Sequence, residues 1–203
     1  MKTINKDFEE KLMDAIINED VQFLNNYRVE YDINKRLEDE DNDALIDYAI
    51  SYSKSNAYKF FLANNASLDN INNKGENIVH SIVYSGCPNR LLEVIKIKRV
   101  DVNHKSNDGT TPLILSIGLE DLDMFKLLIE FGADINLSDN DGNLPIHLAS
   151  YYGNEEMVDI LVNKGTYLFN KTSNGNLPLA LAVNENHINI IHKLYKIMYH
   201  SII

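Results

Sequence analysis

The 203-residue sequence predicts an all-α solenoid, a single array of stacked helix-turn-helix units joined by β-turn or hairpin fingers. Pro112, Pro145 and Pro178 lie 33 residues apart, and Gly109, Gly142 and Gly175 keep the same interval. Proline fixes φ and glycine admits positive φ, so one interval shared by both marks a backbone unit that repeats. Between these anchors the apolar residues fall at helical spacing, as in Met157, Val158, Ile160 and Leu161. Function is then expected on a surface shared by the units, not in one deep pocket.

The elements follow in order. Residues 1–38 read as a diverged first unit, with one helix through 11–17, a turn at Asn18-Glu19-Asp20 and a second helix over 21–27. In residues 39–71, Asn42 and Asn65 take glycine places, because asparagine tolerates positive φ better than other side chains. Residues 72–105 carry Gly75 at the finger turn, His80 at the register of His147, and Gly86 near the turn between helices. Arg99 stands where that unit should end in glycine, and one extra residue between Gly86 and Arg99 predicts a longer or bulged second helix. Residues 106–138 are the most regular: Asp108-Gly109 for a tight turn, Thr111 as N-cap, Pro112 at the first helical position and Gly118 near the turn between helices. In residues 139–171 and 172–203, Leu144 and Leu177 replace the capping threonine, so those helices should start less firmly. Gly132 and Gly165 supply left-handed caps after the second helices of their units, one of which spans 156–163. The last helix is crowded with Ile188, Ile191, Leu194, Tyr195, Met198, Tyr199, Ile202 and Ile203, more apolar than a terminal cap needs.

Two segments are specific enough to point to a family. Thr111-Pro112-Leu113, with its echo Pro145-Ile146-His147-Leu148-Ala149, and Phe131-Gly132-Ala133-Asp134-Ile135-Asn136 resemble the helix start and the finger of the ankyrin repeat. The resemblance covers essentially the whole chain. It implies one ankyrin-repeat domain, 1–203, of about six units: 1–38 as N-terminal cap, then 39–71, 72–105, 106–138 and 139–171, and 172–203 as C-terminal cap. It also implies that His80 and His147 bond the turn backbone. Partners of this family bind a concave face made of finger tips and the exposed sides of first helices. Carried over by position, that face holds Glu40, Asp41, Asp43 and Tyr52, then Lys74, Glu76 and Tyr84. It continues through Asn107, Asp108, Thr110 and Leu119, then Asn140, Asp141, Asn143, Tyr151 and Tyr152, and ends at Asn174, Asn176 and Glu185. The acidic run 38–41 with Asp43 gives one finger a dense negative tip, and Tyr52, Tyr84, Tyr151 and Tyr152 form an aromatic line.

Composition narrows the function. Apolar residues make up 44% of the chain, enough for a continuous core between stacked units. The net charge of −11 is uneven: −7 over residues 1–71, +3 over 72–105 and −8 over 106–171. Such a field repels nucleic-acid phosphates and favours a partner protein with a basic surface. Lys96, Lys98 and Arg99 form the one basic cluster, read as a solvated helix edge. No 18-residue apolar stretch suits a membrane span. The first twelve residues alternate in charge and do not resemble a secretory signal, and Cys87 has no second cysteine to pair with. A reducing, cytoplasmic setting is expected, with signal-independent secretion into a host cell left open.

Sites for chemistry are missing from the pattern. The six histidines form no His-x-x-x-His pair and none joins Cys87 at zinc spacing. There is no Gly-x-Ser-x-Gly elbow and no phosphate loop. Neither cofactor nor metal is expected. The expected function is non-catalytic binding of a partner protein, so as to sequester, inhibit or neutralise it. An immunity protein against a protein toxin, a host-directed bacterial effector and a viral host-range factor all suit the same features. The rival reading is an enzyme using Cys87, whose place before Pro88 at a helix start would favour a thiolate. The apolar last helix could also mediate self-association.

Overall fold

The computed structural model describes residues 6–37 and 41–200. Helices α1 to α12 account for all its regular structure among these residues, with two isolated antiparallel bridges, Arg36–Ala44 and Ile71–Asn77, in place of strands. The chain forms two compact units, Met1–Val100 and Asp101–Ile203.

The first unit holds α1 (Lys6–Ile17), α2 (Val21–Asn26), α3 (Leu45–Ser51), α4 (Ser55–Ala63), α5 (Ile78–Tyr84) and α6 (Pro88–Ile97). They pack as hairpins, α1 with α2, α3 with α4 and α5 with α6, and α3 also touches both α1 and α5. Leu12, Ile16, Leu24, Leu45, Ile50, Phe61, Ile78, Ile82, Leu91 and Val94 are buried between them. Each such side chain contributes about 1.5–3 kcal/mol by leaving water. These helices are too short to be stable alone, so stacking is what holds them.

The second unit holds α7 (Pro112–Gly118), α8 (Leu122–Glu130), α9 (Pro145–Tyr152), α10 (Glu155–Asn163), α11 (Pro178–Asn184) and α12 (Ile188–His200). First helices again run side by side, α7 on α9 and α9 on α11, while α10 touches α12. Ile117, Phe125, Leu128, Ile146, Met157, Val158, Leu161, Ala182 and Leu194 form the core.

Local chemistry explains most element ends. Thr111 Oγ1 accepts the Ile114 N–H at 3.2 Å, and Pro112 opens α7 where no amide proton is needed. Leu144 and Leu177 provide no side-chain cap, as their residue type dictates. Asn42 and Asn65 do adopt positive φ, +54° and +58°. Helix α6 runs ten residues against nine in α8 and α10, and Lys98 leaves it in an extended conformation, so Arg99 replaces no left-handed cap. Gly118 departs from its expected role. It is the last residue of α7, and the left-handed residue of that turn is Glu120, with φ +55°. The same position, just before the N-cap of the second helix, is left-handed in Glu19, Ser53, Gly86, Gly153 and Asn186. Side chains other than glycine cost about 1–2 kcal/mol there, which packing of the hairpin offsets.

The fingers stack by backbone bonds. Asn73 N–H donates to Asp41 O at 2.8 Å in the first unit, and in the second Asn140 N–H donates to Asp108 O and Ser173 N–H to Asp141 O. This close approach leaves no room at Gly109, where an added Cβ would lie 2.5 Å from the Asn140 backbone nitrogen; at Gly175 it would meet nothing. Both have positive φ, +83° and +80°. Gly175→Ala is therefore expected to cost about 1 kcal/mol of conformational strain, whereas Gly109→Ala should cost at least about 2 kcal/mol by also parting the fingers. Equal losses in urea unfolding would show that the finger ladder is not held tightly.

Candidate functional site

Seven of the sequence candidates belong to the first unit, and six of them share one cleft. Glu40 lies outside the described residues. Asp41, Asp43, Tyr52 and Tyr84 line a cleft of about 320 Å³ with Tyr48, Ser51, Asn72, Lys74, Glu76 and Ser81. Helix α3 supplies the buried Tyr48 and, at its C-cap, Tyr52, α5 supplies Tyr84 as its last residue, and two adjacent fingers supply the charged groups. Tyr48 is buried as the floor, while Tyr52 and Tyr84 are 53% and 49% exposed and form the walls. The Tyr48 and Tyr52 rings lie 4.5 Å apart.

A polar network fixes the cleft's carboxylates. Asn72 Nδ2 donates to Asp43 Oδ1 and to Glu76 Oε2, both at 3.0 Å. The Tyr84 hydroxyl donates to Glu76 Oε1 at 3.0 Å. Lys74 Nζ pairs with Asp41 Oδ2 at 2.8 Å, and that hydrogen bond pushes the lysine pKa up, so its ammonium stays charged. Both partners are well exposed, so the pair contributes little, about 0–1 kcal/mol. Three carboxylates and one ammonium thus line the cleft with Tyr52 and Tyr84.

The second unit carries the other candidates on a different arrangement. Tyr151 and Tyr152 end α9, meet edge to face at 5.2 Å, and are 42% and 45% exposed. His187 Nε2 lies 2.9 Å from the Tyr151 carbonyl oxygen. Leu119 follows α7 and is also exposed. Asp141 and Asn143 belong to the finger turn, where Asn143 Nδ2 donates to Asp139 Oδ2 and both backbone amides donate to Asp139 Oδ1. Asn143 is therefore partly committed to its own turn, whereas Asp141 presents its side chain to solvent.

Buried titratable groups have structural duties. His147 Nδ1 accepts the Leu144 N–H at 3.1 Å, and Nε2 sits 3.0 Å from Asn170 O. Burial pushes its pKa down, so the ring is neutral, with the proton on Nε2 donated to Asn170. His80 repeats the first of these bonds, accepting the Asn77 N–H. Asp47 occupies the same third helical position in α3, and the sequence pattern did not single it out. The Asn70 side chain, 23 residues on, as Asn170 is from His147, and the Ala44 backbone favour its charged form only weakly. Its Oδ1 lacks a hydrogen-bond partner. Burial, reinforced by the nearby Asp43 charge and opposed by Arg36, pushes the Asp47 carboxyl up to about 8.

Cys87 is the half-buried N-cap of α6, and its side chain makes no capping hydrogen bond. Lys98 of the basic cluster pairs with Asp69 at the surface. On α12, Leu194 and Met198 are buried while Ile188, Tyr195 and Tyr199 are exposed, with the last two rings stacked at 4.2 Å. Ile202 and Ile203 lie outside the described residues. Among the described residues no group of three or more His, Cys, Asp or Glu could hold a metal ion, and no helix is long and apolar enough to cross a membrane.

Comparison with known proteins adds one finding. The family described as ankyrin repeats (3 copies) matches residues 83–169 and 121–201, together more than half of the chain. No curated protein matches it. The chain belongs to the ankyrin repeat family, whose members are protein–protein interaction modules.

Proposed function

We propose that this ankyrin-repeat chain is a non-catalytic binder that holds a partner protein on the tyrosine-bearing sides of its first helices, and so sequesters or inhibits it. The observation that carries the reading is the exposure of Tyr52, Tyr84, Tyr151 and Tyr152, each at the C-terminal end of a first helix and each about half open to solvent. Tyrosine buries a large, rigid surface on contact and keeps a polar tip, which is why it recurs at interface hot spots. Short helices locked into a stacked core present these rings with little left to order on binding. The carboxylates beside Tyr52 and Tyr84 favour a basic partner surface. Binding is then itself the activity, as in a toxin-neutralising immunity protein or a factor that captures a host protein.

The test compares wild type with a Tyr84→Ala, Tyr151→Ala, Tyr152→Ala triple variant in affinity capture from the lysate of the source cell, with helical signal and melting checked for both. The expected result is a partner held by wild type and lost by a folded variant. Truncating three hot-spot rings should weaken binding by at least about 100-fold. Retention of the same partner by the variant would remove these faces from the interface.

A further inference from the structure

We propose that the cleft between α3 and α5 is a socket for a single guanidinium, an arginine side chain offered by an extended, basic segment of the partner. This inference rests on the protein-binding reading and names the chemistry that one of its faces selects. Three features of the cleft, two of which share Lys74, converge on a planar cation. The first is charge: Asp41, Asp43 and Glu76 line the cleft against Lys74 alone, leaving it short of positive charge. The second is the pair of half-exposed rings, Tyr52 and Tyr84, which line the cleft with the buried Tyr48. Tyrosine faces attract cations, and a flat guanidinium stacks on them where a tetrahedral ammonium cannot. The third is that the chain already seats a cation here. The Lys74 ammonium sits on Asp41 as a weak tenant, held by one exposed ion pair.

Preorganisation favours a ligand with several directed donors. Asn72 bonds one oxygen each of Asp43 and Glu76, and Tyr84 bonds the other oxygen of Glu76, so the carboxylates are held in fixed orientations before any ligand arrives. Five N–H donors in a rigid fork can engage two such carboxylates at once, whereas an ammonium acts as a point charge. The volume of about 320 Å³ is at the small end of the range for ligand pockets, which suits one long side chain and excludes a folded element. An arginine entering the cleft competes with Lys74 for Asp41 and displaces it towards solvent.

The test titrates the whole chain with the blocked peptide acetyl-Gly-Ala-Arg-Ala-Gly-amide and with its lysine and citrulline counterparts, following amide chemical shifts. Citrulline keeps the shape of arginine and removes its charge. The arginine peptide is expected to bind in the millimolar range, about tenfold tighter than the lysine peptide, with citrulline showing no saturation. Its shifts should centre on Tyr52, Asn72 and Tyr84. Asp43→Asn and Glu76→Gln should each weaken binding about tenfold. Lys74→Ala should strengthen it several-fold by vacating Asp41, a gain that misfolding could not produce. Equal binding of arginine and citrulline, shifts centred elsewhere, or weaker binding by Lys74→Ala would each overturn the socket. If the socket fails while the triple tyrosine variant still loses its partner, the protein-binding reading stands without it. If the socket is occupied by arginine while that variant keeps its partner, the socket stands and the broader face does not.

Discussion

Between about pH 5 and about pH 9 the first unit is expected to lose roughly 4 kcal/mol of stability, and Asp47→Asn is expected to abolish most of that loss. The reasoning begins with a carboxyl that burial raises from its ordinary 3.8 to about 8, with Asp43 adding repulsion. In the unfolded chain Asp47 releases its proton near pH 4, while in the folded chain it keeps it to about pH 8. The folded state therefore binds the extra proton across that window, and stability falls with each unit of pH within it. The contribution is complete below the unfolded value and gone above the folded one. The part of the slope that Asp47→Asn removes is the part that belongs to Asp47. Asparagine keeps the shape but carries no charge to bury. Urea unfolding followed by circular dichroism at both pH values reads this directly. The wild-type midpoint should fall by more than about 1 M and that of Asp47→Asn should stay nearly flat. Identical slopes would mean that Asp47 is ionised in the folded chain, with Arg36 winning over burial.

Asp47 also shows where the sequence stopped being legible. The 33-residue period of proline and glycine disclosed the helical repeat, the fingers and the caps, because those residues act on their own backbone and leave a local mark. The register of His80 and His147 was visible for the same reason. Carried back one more unit that register falls on Asp47, yet an aspartate among many acids carries no sign that it is buried; only the packing of α3 gives it that role. Likewise the pattern placed Gly118 near the turn after α7, but the left-handed residue of that turn is Glu120, since the hairpin geometry is imposed by the packed helices whether or not glycine is available. At the cleft, Asp41, Asp43, Tyr52 and Tyr84 were legible as positions on one face. What was not legible is that Asn72 ties two carboxylates together, because its bond to Asp43 joins adjacent fingers through residues 29 apart that share no motif, while its bond to Glu76 stays within one finger.

Arg90 joins three helices of the first unit, and Arg90→Ala is expected to cost about 3 kcal/mol or more. It is buried in α6, where most charged side chains would not be tolerated. Its Nη1 donates to Ile50 O at the end of α3, 40 residues away, at 2.8 Å; Nη2 reaches Ser55 Oγ at 3.4 Å, and the guanidinium lies 5.6 Å from the centre of the Tyr58 ring in α4. One side chain thus ties α6 to the end of α3 and the start of α4. Alanine removes the cation–π contact and the charged hydrogen bond and leaves a cavity beside Tyr58. Methionine separates these contributions, because it fills the space without the charge, and Ile50 O would still accept the Ser53 N–H. Arg90→Met should therefore cost about half as much as Arg90→Ala. Lysine cannot span both helices and should recover less than methionine does. Equal midpoints for wild type and Arg90→Ala in urea would show that the tie carries no weight. The tie also bears on function, since Tyr52 caps the end of α3 that Arg90 holds. A helix end released there lets one wall of the cleft move, so Arg90→Met, folded but without the tie, should bind the arginine peptide more weakly than wild type although Arg90 is not among the residues lining the cleft.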